Sequence, residues 1–178
     1  MTQRQEFRVV RSYPDFELRE YQPCVIAEVR MSAQYSTASS AAFSSLFRYI
    51  SKGNKASEKI AMTAPVIAMQ KEKSSESDDW FVSFVMPSGS TFGHLPQPND
   101  SQVVLRELEM QNCNAVSFRG KATFELAEKK IAQLRNTAAK ENIALSDENR
   151  ICRFDPPVKP GFLQYNEIVI PVRYKASS

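Results

Sequence analysis

Two stretches of this chain, set about ninety residues apart, run through the same order of predicted elements. CVIAEVRM (24–31) alternates as a strand. Residues 36–51 then switch to a helical period, with Phe43, Leu46, Phe47 and Ile50 at i, i+3, i+4 and i+7. KIAMTAPV (59–66) and WFVSFVMP (80–87) return to extended patterns. The order recurs as AVSFRGKA (115–122), a helix over about 123–140 with the stripe Ala127, Ile131, Leu134 and Ala138, then NRICRFD (149–155) and NEIVIPV (166–172). Identity between the halves is negligible, so the match is one of element order and length. Each βαββ unit has a helix stripe to cover and strands to pair. Two units satisfy both needs by closing into one curved sheet, which predicts an α+β fold: a distorted β-barrel of two βαββ repeats with both amphipathic helices packed outside. The predicted halves are residues 7–87 and 102–174, joined by the loop SGSTFGHLPQPND (88–100), within a single domain of residues 1–178.

Flanking segments fit this frame. FRVVR (7–11) and FELREY (16–21) read as strands around the turn signal Ser12-Tyr13-Pro14-Asp15. Alternation places Phe16, Leu18 and Glu20 on one face of FELREY, and Glu17, Arg19 and Tyr21 on the other. QVVLRELEM (102–110) reads as a further strand, KEKSSESDD (71–79) as a charged hairpin loop, and Val158-Lys159-Pro160-Gly161 as a turn. Ser36 or Thr37 is placed to cap the first helix, and Gly53-Asn54 to end it.

Within the first repeat, SEKIAMTAPVIAMQKE (57–72) breaks the usual strand rule. Ile60, Met62, Ala64, Val66 and Ala68 point one way, and Ala61, Thr63, Pro65, Ile67 and Met69 the other. Both faces are apolar apart from Thr63, where a half-exposed strand would alternate with polar residues. The segment also carries a proline, which belongs at an edge or a bulge. Such a segment needs a partner on each face.

Composition narrows the function classes. Net charge is +3 and the Lys and Arg residues are spread along the chain, without the basic cluster and motif of a nucleic-acid binder. Cys24, Cys113 and Cys152 are widely spaced, an odd set that reads as reduced thiols. With no signal-like N-terminus and no bilayer-spanning apolar run, the expected location is the cytoplasm. Phosphate-loop motifs, a GxSxG elbow and Cys/His metal clusters are missing, so the expectation is a binding protein, monomeric, with no catalytic constellation.

KIAMTAPV, followed by a charged loop and an apolar strand, resembles the signature of the SOUL family of haem-binding proteins. FDPPVKPGFLQYNEIVIPV (154–172) is similar to that family's C-terminal signature, and FELREYQPCVIAEV (16–29) to its N-terminal strand pair. The resemblance spans about residues 7–174. It implies a distorted barrel of two βαββ repeats and a shallow hydrophobic groove, beside the first helix and the MTAPV strand, that takes haem or another tetrapyrrole.

On that resemblance, Phe47, Ile50, Ile60, Met62 and Val66 are candidate groove walls, methionine suiting a flat, polarizable ligand. Arg48, Lys52, Lys55 and Lys59 are candidate clamps for the propionates, or equally a solvated cationic face at a helix C-terminus. In some family members a histidine between an arginine and a tyrosine is the proposed iron ligand. Here Arg19-Glu20-Tyr21 puts Glu20 there, and the only histidine is His94 in the 88–100 loop. The implied mode is therefore hydrophobic, without a strong axial ligand. The family's barrel is similar to GyrI-like proteins and multidrug-responsive regulators, where a glutamate on a comparable strand faces the ligand. Glu167, in an otherwise apolar strand, is the matching carboxylate: a groove residue, the centre of an alternative small-molecule or hydrolytic site, or a surface partner of Arg153 or Lys159. A groove taking an apolar peptide is the third reading.

Overall fold

The computed structural model describes residues 2–71 and 79–173; the charged hairpin loop expected at 71–79 lies, apart from its ends, outside them. Eleven strands and two α-helices follow in the order β1 (Gln3–Arg4), β2 (Phe7–Ser12), β3 (Glu17–Tyr21), β4 (Cys24–Ser32), α1 (Tyr35–Ile50), β5 (Thr63–Ala64), β6 (Val66–Gln70), β7 (Asp79–Val85), β8 (Val104–Leu108), β9 (Gln111–Arg119), α2 (Phe124–Lys140), β10 (Asn149–Arg153) and β11 (Tyr165–Pro171). A short 3-10 turn at Gly161–Leu163 precedes β11.

Nine strands form one antiparallel sheet in the order β2-β3-β9-β11-β10-β6-β7-β4-β8. β3 is second in this order and β4 eighth, yet only Gln22 and Pro23 separate them in the chain. Likewise only Glu109 and Met110 separate β8 at one end from β9 near the other. Two-residue links cannot cross a flat sheet of this width, so the sheet curls until its ends approach. The expected duplication is present: β4-β7-β6 in one half corresponds to β9-β11-β10 in the other. The halves meet at an antiparallel seam that runs from Val66 opposite Arg153 to Gln70 opposite Asn149. β3 leads into β4 but pairs with β9, and β8 leads into β9 but pairs with β4.

Alternation along the strands feeds two separate cores. One face packs against the helices: Val25, Ala27, Val29, Val82, Phe84, Ile151 and Ile168 meet Ala38, Ala42, Leu46 and Tyr49 of α1 and Ala127 and Leu134 of α2. The opposite face lines the inside of the curl with Ile26, Ile67, Met69, Val85, Cys113, Cys152 and Val169. The two-sided apolar segment is thereby explained, because β6 lies mid-sheet with Val66 and Ala68 in the first core and Ile67 and Met69 in the second. It is not one continuous strand. The Ala64–Pro65 peptide is cis, Thr63-Ala64 forms a small parallel ladder with β1, and the seam strand begins at Val66. Pro65 occupies the break, where its missing N–H takes no hydrogen bond from the seam.

The first helix is rotated from the expected stripe. Its buried face is Tyr35, Ala38, Ser39, Ala42, Ser45, Leu46, Tyr49 and Ile50, while Phe43 is half-buried and Phe47 is 49% exposed. Small side chains let α1 lie close on the sheet and leave the two large rings on its flank. The cap expected from Ser36 or Thr37 is absent: Gln34 precedes the helix in an extended conformation without a side-chain cap. Thr123 does cap α2, accepting a hydrogen bond from the Leu126 N–H at 3.2 Å. Gly53 and Asn54 end α1 as expected. The Gly53 N–H donates to the Arg48 carbonyl at 2.8 Å, and a Cβ there would stand 2.4 Å from that oxygen. The buried Asn54 amide donates to the carbonyls of Tyr49 (2.9 Å) and Glu58 (2.8 Å) and its oxygen accepts from the Glu58 N–H (3.0 Å).

Candidate functional site

The flank of α1 that carries the two unburied phenylalanines overlooks a groove of about 630 Å³, within the roughly 300–1,000 Å³ typical of small-molecule sites. One wall is α1, the other is Met62 to Val66, and the far rim is the Asp155-Pro156-Pro157 turn that leaves β10. Phe43 and Phe47 stack at 5.9 Å with planes 12° apart, and Phe43 meets Phe84 of the core edge-on at 5.3 Å. Both rings line the groove from α1. Lys121 and Arg153 bring positive charge to it. The Arg153 Nε is buried and makes no hydrogen bond among the described residues. The rim turn is pinned by Asp155, which accepts from the Tyr165 N–H at 2.7 Å and from Lys159 Nζ at 3.0 Å. Those contacts, the backbone N–H foremost, hold the Asp155 carboxyl below its ordinary pKa.

The predicted wall residues divide. Phe47, Met62 and Val66 line this groove; Ile50 and Ile60 do not, being buried where the end of α1 meets the following loop, with the Ile60 N–H donating to the Ile50 carbonyl at 2.8 Å. Arg48, Lys52, Lys55 and Lys59 are likewise absent from its lining, at the far end of the helix. The cations that do reach the groove, Lys121 and Arg153, come from the other half of the chain. The seam register, with Arg153 opposite Val66, brings Arg153 there; Lys121 comes from the segment between β9 and α2.

Glu167 lies elsewhere, on the inside of the curl and 3% exposed. Its partner is neither Arg153 nor Lys159. Arg19 grips it with two hydrogen bonds, at 2.9 and 2.8 Å, and the Tyr165 hydroxyl donates to it at 2.7 Å. Arg19 also holds Glu17 at 2.8 Å and the Tyr21 hydroxyl at 3.0 Å. Burial opposes the Arg19 charge, but Glu167 and Tyr21 together outweigh it and leave the guanidinium pKa above its usual value. Tyr21 is pushed up chiefly by burial. A second polar cluster nearby, Arg150 with Glu148 at 2.6 Å and Gln111 at 2.7 Å, is similarly self-satisfied.

Haem ligation draws on His, Met, Cys or Tyr. His94 is exposed in its loop with Nδ1 2.6 Å from the Thr91 hydroxyl, and Glu20 pairs with Arg8 at 3.3 Å, neither of them at the groove. Cys113 and Cys152 are buried inside the curl with thiols pushed up by burial, Cys113 to about 11. Met62 is the one side chain of a ligating type in the described groove lining. No group of three or more His, Cys, Asp or Glu that could hold a metal occurs among the described residues. No described helix is long and apolar enough to cross a membrane.

A curled α+β barrel of two βαββ units, with an apolar groove against the first helix, defines the class of protein. The chain belongs to the SOUL heme-binding protein family, whose model matches residues 2–171. No curated protein matches it. Among solved structures it is similar to the EcmrR C-terminal domain (TM-score 0.69, 13% identity, 94% of this chain and 98% of that one). It is also similar to a structure described as a hydrolase from Listeria innocua (TM-score 0.57, 12% identity, 97% and 93%). A third likeness is SAV2435 bound to tetraphenylphosphonium (TM-score 0.56, 9% identity, 89% and 94%). At these identities the likenesses are of fold.

Proposed function

We propose that this protein binds haem or a related tetrapyrrole, non-covalently, in the groove beside α1, and acts as a carrier, buffer or sensor of the free ligand. The observation that carries the reading is the composition of that groove. A stacked Phe43–Phe47 pair faces Met62 and Val66, and Lys121 and Arg153 bring in positive charge. Haem and protoporphyrin IX are flat, aromatic and doubly carboxylated, so rings and a thioether would hold the face while the two cations hold the carboxylates. When bound, haem would supply its own iron chemistry; this chain's residues supply the apolar walls and the charge. With Met62 as the only side chain of a ligating type in the described lining, binding rests on the macrocycle rather than on a strong bond to iron.

On this reading the chain works as one domain and as a monomer, in the cytoplasm, without nucleic acid, and by binding rather than catalysis. The alternative, a small-molecule or hydrolytic site built on Glu167, is less favoured because that carboxylate is already matched by Arg19 and Tyr165.

The test is titration of the protein with hemin and, in parallel, with protoporphyrin IX. The expected outcome is saturable one-to-one binding of both with similar affinity, lost on Met62→Asp. Binding that never saturates, or that survives Met62→Asp, would show hemin adhering to apolar surface and would remove the reading.

A further inference from the structure

The internal duplication places a second groove where the first has its counterpart. The α1 groove lies at the Val66–Arg153 end of the β6–β10 seam. At the opposite end of the same ladder, where Gln70 faces Asn149, a groove of about 550 Å³ opens beneath α2. Exchange of the halves turns α1 into α2 and β6 into β10, so one cavity maps onto the other.

Its chemistry differs from that of the first groove. The wall is aromatic: Trp80 and Phe124 meet edge to face at 6.0 Å, 87° between planes. Trp80 is 2% exposed, and its indole N–H is buried without a hydrogen-bond partner among the described residues. A buried donor left unmatched is costly unless something accepts from it. At the mouth stands Glu128, exposed on α2 and making no ion pair or hydrogen bond among the described residues. The other charged groups of the lining are engaged: Arg135 donates to Asn149 at 2.6 Å, and Asp147 pairs with Arg173 at 3.2 Å. The Trp80 N–H and the Glu128 carboxylate are the polar groups of the lining without a partner among the described residues.

We propose that the groove beneath α2 is a second binding site, independent of the first, for a flat aromatic amine that also carries a hydrogen-bond acceptor. The acceptor takes the Trp80 N–H, the ring packs on Trp80 and Phe124, and the protonated amine reaches Glu128. A cation beside an indole face adds to that attraction. The site does not depend on tetrapyrrole binding at α1.

Trp80 is the only tryptophan, so the protein has a single indole N–H resonance. The probe is procainamide, a benzamide with a protonated amine, titrated into nitrogen-15-labelled protein with calorimetry alongside. The expected result is a saturable downfield shift of the indole resonance with one-to-one stoichiometry. Glu128→Gln, at an exposed helical position, should weaken affinity about fivefold. Ala132→Arg, which fills the mouth from another exposed position, should abolish binding while leaving hemin titration as in the parent protein. An indole resonance that does not move, or a shift unaffected by Ala132→Arg, would overturn the proposal. So would one-for-one displacement of the probe by hemin, which would place both ligands in one groove.

Discussion

Arg19 on β3 and Glu167 on β11 meet inside the curl through two parallel hydrogen bonds, although 148 residues separate them in the chain. Each is at most 5% exposed. β9 lies between their strands in the sheet, so the pair spans a full strand and ties the N-terminal hairpin to β11.

Removing one partner of such a pair strands the other charge in a poorly solvated place. Glu167→Gln is therefore expected to destabilise the protein by about 3 kcal/mol, the lower end for a buried pair because Glu17 still engages Arg19. Urea denaturation measures this. Hemin affinity, measured on the folded variant, should stay within about twofold, since RT ln 2 is small beside one lost hydrogen bond. A large loss of affinity at unchanged stability would return Glu167 to the site.

The cations at the α1 groove are separable from those at the end of the helix. Lys121→Ala should weaken hemin binding about fivefold, the scale of one partly exposed ion pair, and should flatten its salt dependence. Lys59→Ala, outside the groove, should leave both unchanged. Titrations at two ionic strengths distinguish the two variants.

Asp155 sets an acid sensitivity at the groove rim. Its carboxyl is held below the ordinary value by the Tyr165 N–H and then by Lys159, so the folded state takes up a proton less readily than the unfolded chain. Its contribution to stability is complete above the unfolded pKa and disappears as pH falls from there through the lower folded value. The melting temperature should drop over that interval, and Asp155→Asn should make the drop shallower while lowering stability at neutral pH. Thermal melts across the acid range, run on both proteins, decide it.

Asn54 closes α1 with three hydrogen bonds from a side chain that is 2% exposed. Asn54→Ala should cost about 2–3 kcal/mol in chemical denaturation, because it leaves buried backbone groups unmatched. If the loss is under 1 kcal/mol, water replaces the side chain and the helix end is not pinned in this way.

Element order, both helices and the duplication were legible in the sequence because periodicity reports local geometry directly. The break at Pro65 was foreshadowed by the proline itself, but nothing local indicates that Thr63-Ala64 pairs with residues 3–4. Alternation correctly put Arg19 and Tyr21 on one face of their strand; that this face is interior could not be read, since a charge there mimics a solvent side until its partner is known. The helix stripe misled for a related reason. Phe43 and Phe47 outrank Ala38 and Ala42 in hydrophobicity, yet close approach to the sheet selects the small residues. Large apolar side chains displaced from the buried face were the available signal of a groove. Lys121 and Arg153 had no such signal, since tertiary pairing between the halves brings them to α1, Arg153 through its register opposite Val66.

The crossed pairing of the leading strands bears on what half of this chain could do alone. Each half gives the strand that leads into its repeat to the other half's sheet edge, β3 to β9 and β8 to β4. An isolated half would have its own strand detached and a vacant edge of matching geometry, an arrangement that a second copy completes by exchange. The single chain is in this sense a swapped pair of halves made covalent. Residues 1–100 produced by themselves should sediment as a pair of identical halves, each wearing the other's strand.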